Sequence, residues 1–133
     1  MTGLASPRVE HPEWYREVIT PGVDPSRPGI YEWRIESVGV YIGQYTWASR
    51  PRREYGANVA RLLAKRHYRP KNPDGFRHIH HQLALAVGEK RPITLTFLEN
   101  QADKTARNAR ERHFIRSRQI AAAGGDLRVL NSV

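Results

Sequence analysis

The sequence predicts an α+β fold: a small three-stranded antiparallel sheet flanked by helices, in the order β-β-α-α-β-α. Three observations carry that expectation. Residues 29–43 are rich in β-branched and aromatic side chains around a short turn, Ile93, Leu95 and Phe97 alternate with Thr94, Thr96 and Leu98, and three further stretches repeat apolar residues at helical spacing.

Residues 1–28 hold Pro7, Pro12, Pro21, Pro25 and Pro28, too many for a regular element, with Trp14, Tyr15, Val18 and Ile19 as a short amphipathic turn between them. This reads as an N-terminal extension packing loosely on a domain of residues 29–133. Ile30, Tyr31, Trp33 and Ile35, then Val38, Val40, Tyr41 and Ile42, form two strands of a hairpin about Glu36-Ser37-Val38-Gly39. Glu54 to His67 spaces Val59, Leu62 and Leu63 along one helix face and turns Arg61 and Lys65 outward. After the turn Lys71-Asn72-Pro73-Asp74-Gly75, the residues Phe76, Ile79, Leu83, Ala86 and Val87 predict a second helix ending near Gly88. Pro92 leads into the third strand. Ala102 to Ala121 lacks Gly and Pro and sets Ala102, Ala106, Ala109, His113 and Ile120 near one face opposite arginines; Gly124-Gly125 ends it. Val129-Leu130 is placed to return to the sheet edge.

A chain of 133 residues is about one domain. It has no cysteine, so disulfides and thiolate metal sites are excluded. No apolar run approaches the roughly 20 residues of a membrane span, and the expectation is a soluble, cytoplasmic protein with no membrane partner. The 22 Lys and Arg against 13 Asp and Glu, a net +9, favour an anionic partner. The excess is local: residues 50–71 hold eight basic residues and only Glu54, whereas residues 1–49 hold four basic and six acidic. Alone, such a block is as readily a solvated helix face as a binding surface.

Gly29-Ile30-Tyr31 followed by Tyr41-Ile42-Gly43, both on strands of one hairpin, resembles the name-giving motif of the GIY-YIG endonucleases. Arginines soon after the second motif, a glutamate in a late helix and an asparagine near the C-terminus follow in the family's order, and the resemblance spans about residues 28–132. It implies a metal-dependent endonuclease that hydrolyses DNA phosphodiester bonds. From the pairing of adjacent strands alone, Tyr31 and Tyr41 would stand on one sheet face, either as packed core aromatics or with their hydroxyls on a shared phosphate. A phenol of pKa about 10 serves as a general base only if nearby cations or a metal-bound water lower it, which the arginines would favour for Tyr31.

The resemblance further implies that one of Arg50, Arg52 and Arg53 clamps the scissile phosphate. Family spacing counted from Gly43 lands near Pro51, so the loop reads as longer here, and Arg53 is preferred for its place at the helix start. Arg50 and Arg52 then reach flanking phosphates, with Arg61, Lys65, Arg69 and Arg107 as further nucleic-acid contacts. Glu111 matches the family's metal ligand; one carboxylate plus substrate phosphate suffices for Mg²⁺ or Mn²⁺, and with no acidic cluster a one-metal hydrolysis is implied. On its own, Glu111 reads more readily as the partner of Arg107 in an i,i+4 ion pair on a solvated helix. Asn131 matches the family's C-terminal asparagine, and His67 lies where some relatives place a site histidine.

His78, His80 and His81 lack a further ligand at metal spacing and read as a polar helix face. The rival function is a catalytically inactive nucleic-acid binder of the same fold, with the same basic surface and salt-sensitive affinity. Without an added recognition domain, stringent sequence specificity would require homodimerisation or inserted loops.

Overall fold

A computed structural model describes residues 8–10, 14–123, 125 and 128–131. Most of the expected extension's first 13 residues and Gly124 lie outside that set. The chain is α+β, and its sheet is larger than expected: six strands in the order β1-β2-β5-β3-β4-β6. These are β1 (Arg8–Glu10), β2 (Arg16–Ile19), β3 (Gly29–Ile35), β4 (Gly39–Tyr45), β5 (Ile93–Asn100) and β6 (Arg128–Val129). The helices are α1 (Tyr55–Leu63), α2 (His78–Gly88) and α3 (Lys104–Ala122).

The three expected strands form the centre, with β3 antiparallel to both β4 and β5. Two additions make the sheet mixed. β2 pairs in parallel with β5, and β6 pairs in parallel with β4 at Gly39 and Val40. The expectation that residues 1–28 pack loosely is therefore corrected from Trp14 onward. Tyr15 and Ile19 are buried core residues, and Trp14 stacks on Trp33 with ring centroids 5.3 Å apart. Between the prolines, four residues of alternating burial suffice for a strand once β5 offers its open edge.

Strand alternation divides the core. Tyr31, Trp33, Ile35, Tyr45, Leu95 and Phe97 join Tyr55 and Val59 of α1 and Ile79 and Leu83 of α2 in one cluster. On the other face, α3 docks through polar contacts and not through the expected Ala/His/Ile stripe: Ile120 is 69% exposed, whereas Arg107 is buried. Arg110 forms a two-pronged pair with Glu99, and Arg118 reaches buried Glu32 at 2.6 Å. Positions 107, 110, 114 and 118 recur at helical spacing, and on this face Arg110 and Arg118 answer carboxylates presented by β5 and β3.

Candidate active site

Both motif glycines exist because something occupies the place of their side chain. Opposite Tyr31 in the hairpin register stands Gly43. A Cβ on Gly43 would fall 2.8 Å from Tyr31 Cε2 and closer still to Cζ and the hydroxyl, so the Tyr31 ring lies directly on the Gly43 backbone. At Gly29 a Cβ would collide with the Glu99 carbonyl, beside the irregularity where the β3–β5 register shifts between Ile30 and Tyr31.

Trp33 pairs with Tyr41, so Tyr31 and Tyr41 are diagonal neighbours on one face. Tyr31 is 1% exposed and its hydroxyl lies 2.7 Å from that of Tyr55, the first residue of α1. Arg77, at the N-cap of α2, closes the group: its Nη2 donates to the Tyr55 hydroxyl and its Nη1 to that of Tyr41 at 3.1 Å. Tyr31, Tyr55, Arg77 and Tyr41 thus form one hydrogen-bonded chain from the core to the surface. His80, one turn into α2, sets its ring edge against Tyr55 and accepts the Arg77 backbone N–H on Nδ1.

Burial governs the proton equilibria of this chain. Desolvation pushes the Tyr31 phenol up to about 12, helped by Tyr41, while the Tyr55 hydrogen bond, Arg77 and Arg50 pull it only partly back. Tyr55 is raised well above the usual phenol value, again chiefly by burial. The expectation that arginines lower Tyr31 toward a working base is corrected: the guanidiniums are present, but loss of water outweighs them. Burial, then Arg77, His81 and Arg50, hold His80 down at about 4, so it is neutral at pH 7.

Tyr55 and Arg77 wall a cavity of about 240 Å³, with Arg50, Arg53, Arg61, Arg69, Tyr68 and His80 among its other lining residues. Arg53 thus shares this cavity with Arg50, Arg61 and Arg69. The turn carrying them is π-helical over Arg50–Glu54, with the Tyr55 N–H donating to the Arg50 carbonyl. It holds one residue more than an α-helical turn, at the point where the spacing expected from Gly43 ran short.

Other expected contacts lie elsewhere. Arg52 makes a two-pronged pair with Glu17 at 2.7 and 3.0 Å and lies over the Phe97 ring; it ties the π turn to β2 and is not directed at a phosphate. Arg107 is 5% exposed and donates to the carbonyls of Gln101 and Ala102 and to Gln44 Oε1, which corrects both its nucleic-acid role and the Arg107–Glu111 pair. Lys65 and His67 are exposed beyond the end of α1 and do not line the cavity. Asn131 acts on backbone: its Oδ1 accepts the Ile42 N–H at 2.9 Å and its Nδ2 donates to the Ile42 carbonyl at 2.6 Å, fixing the second motif strand.

Glu111 belongs to α3 and accepts from Gln44 Nε2 at 3.3 Å, beside Asn108. Gln44 points to the sheet face opposite Tyr41 and Gly43, so the carboxylate is not gathered with the phenols. Glu17, Glu32 and Glu99 are each paired to arginine, whereas Glu111 has no cationic partner among the described residues. Nowhere among those residues do three His, Cys, Asp or Glu side chains converge as a metal-binding group. No described helix is long and apolar enough to cross a membrane.

Tyr55 and Arg77 escaped sequence reasoning. Tyr55 sits at the head of an amphipathic helix, where an aromatic reads as core, and Arg77 is brought to the tyrosines by the 64–77 loop, in which the turn at Lys71–Gly75 is legible but its docking on the hairpin is not. Compared with protein families, curated proteins and solved structures, the chain matches none.

Proposed function

We propose that this protein is a GIY-YIG-type, metal-dependent endonuclease acting on DNA, with its phosphate site at the arginine-lined cavity. One observation carries the proposal: the Tyr31–Tyr55–Arg77–Tyr41 chain, which runs from the core to the surface, lines that cavity through Tyr55 and Arg77 and so couples hydroxyls to guanidiniums that would hold a phosphate. A surface that only binds DNA needs exposed cations, not phenols hydrogen-bonded in series to a guanidinium.

In this reading Arg53, Arg50 and Arg77 neutralise the phosphate oxygens as charge grows on them, and Tyr41 donates to the same group. Tyr31 stays protonated and positions Tyr55; the role of resting base is withdrawn for it. Glu111 fits a hard divalent cation that keeps most of its waters, because it is a carboxylate without a cationic partner beside a side-chain amide oxygen. Mg²⁺ or Mn²⁺ bound there would supply Lewis-acid stabilisation of negative charge on oxygen.

The rival, a non-catalytic DNA binder, is favoured by the placement of Glu111 on the sheet face away from the phenols. Incubating the protein with supercoiled plasmid and with a labelled single strand, with Mg²⁺, with Mn²⁺ or with chelator, separates the two. The nuclease reading expects cleavage that needs metal and is lost in Glu111→Ala and Tyr41→Phe. Salt-sensitive binding with no cleavage in either metal would replace it by the binder.

A further inference from the structure

Three tryptophans occur in the chain, and two serve the core: Trp33 is fully buried and Trp14 is stacked on it. Trp47 is 71% exposed, and its ring meets no other ring among the described residues. Leaving so large an apolar ring in water gains nothing for the fold, and a lone exposed tryptophan carries no meaning by itself. Its surroundings do. The Trp47 carbonyl accepts the backbone N–H of Arg50, which places Trp47 at the start of the turn that carries Arg50 and Arg53. Arg50 lines two cavities, the one already described and a second of about 280 Å³ formed with Gln44, Tyr45, Thr46 and Lys104. Among the lining residues of the first cavity is another aromatic, Tyr68, with the Arg69 guanidinium 4.5 Å above its ring.

Aromatic rings interleaved with cations along a groove are how proteins hold an unpaired strand: the cations follow the phosphates and the rings take the faces of splayed bases. In a duplex those faces are already stacked and cannot reach a ring at the protein surface. From this we infer that the substrate is single-stranded DNA, or an unpaired segment of a larger DNA, with one base stacked on Trp47 and the backbone following Arg50 into the arginine-lined cavity. The inference deepens the nuclease reading and rests on it for the identity of the nucleic acid.

The test uses the whole protein in chelator, where no metal-dependent cutting occurs. Tryptophan fluorescence is titrated with a short single-stranded oligonucleotide and with a hairpin duplex of the same sequence. Single strand should quench the wild-type signal and bind more tightly than the hairpin. Trp47→Phe should lose most of the quenching, because the remaining tryptophans are packed in the core. Trp47→Ala, checked for folding by circular dichroism, should bind single strand on the order of 5- to 100-fold more weakly. Its dependence of log K on log salt should be unchanged, since stacking releases no counterions, whereas Arg53→Ala should lower that slope by about 0.7. Equal affinity for hairpin and single strand, or wild-type binding by Trp47→Ala, overturns the inference. Cleavage assays keep the two proposals apart: single-strand preference without cutting in any metal removes the nuclease and leaves the track, while equal cutting of duplex removes the track and leaves the nuclease.

Discussion

Replacing Gly43 by alanine would set a methyl group into the space that the Tyr31 ring occupies. Gly43 does not have a positive φ, so the substitution adds no backbone strain and the whole effect is one of contact. The ring has little freedom to yield: it is 1% exposed, packed edge-on against Tyr55 with centroids 5.8 Å apart, and anchored by the 2.7 Å hydroxyl contact. Overpacking a core costs about 1–3 kcal/mol, and loss of the Tyr31–Tyr55 hydrogen bond adds about 1 kcal/mol. For a domain of this size the total corresponds to a fall in Tm of roughly 8–16 °C, followed by circular dichroism or calorimetry. The decisive comparison is a double-mutant cycle. In a Tyr31→Ala background the ring is gone, and Gly43→Ala should then cost less than about 1 kcal/mol, a coupling well above the error of such cycles. An equal cost in both backgrounds would refute the close approach of ring and backbone, and with it the physical reason for this glycine.

Three further outcomes are expected. Asn131→Ala removes two hydrogen bonds to Ile42 at the sheet edge and should cost about 1–3 kcal/mol, with faster hydrogen exchange at the Ile42 amide; unchanged exchange there would contradict the contact. Arg52→Ala leaves Glu17, 2% exposed, without its cation and, among the described residues, with only the Tyr15 hydroxyl at 3.4 Å, and should destabilise by about 3–5 kcal/mol in urea denaturation, while Arg52→Met with Glu17→Leu should recover most of the loss. His80 is lowered from 6.5 to about 4, so its neutral form belongs to the fold: its contribution is complete above about pH 6.5 and is lost as pH falls through 4. The urea midpoint of the wild type should decline over that window more steeply than that of His80→Gln; parallel declines would show that His80 is not the titrating group.

What the sequence disclosed and what it withheld follow from how local each signal is. β3 and β4 are rich in β-branched and aromatic side chains about a turn and β5 alternates, so each was readable within its own residues. β2 was not, because a four-residue strand among prolines becomes one only by pairing with Thr94–Phe97, far along the chain. The face of α3 was misread for a related reason. Glu32 and Glu99 look like outward strand residues until a cationic helix covers them, and the alanines that marked an apolar stripe were weaker partners than arginines facing those carboxylates. In the candidate site, Tyr31, Tyr41, Arg53 and Glu111 were visible as residue types in order. Their electrostatics were not, since the sign of the Tyr31 shift depends on burial, which the alternation Tyr31, Trp33, Ile35 announces only in part.

Strand parity accounts for the divided site. Tyr41 and Gly43 face α1 and α2, and Gln44, one residue on, faces α3, so the Gly43 contact with Tyr31 and the Gln44 contact with Glu111 fall on opposite sides of one strand. β6 pairs with β4 only at Gly39 and Val40, and the side chain of Asn131 holds Ile42. Among the described residues, positions 43–45 pair with no further strand on that side. A phosphate that is to meet both Tyr41 and a cation on Glu111 must therefore approach across this edge and not across either face. Lys104 and Arg50, which share a cavity with Gln44 and Tyr45, stand beside the crossing, and Trp47 follows it in the chain. A flexible unpaired strand can bend around the edge of a sheet, as a stiff duplex cannot without deformation. On the proposed single-strand reading, the separation that counts against catalysis on a flat duplex is the arrangement that a strand folded over β4 would need.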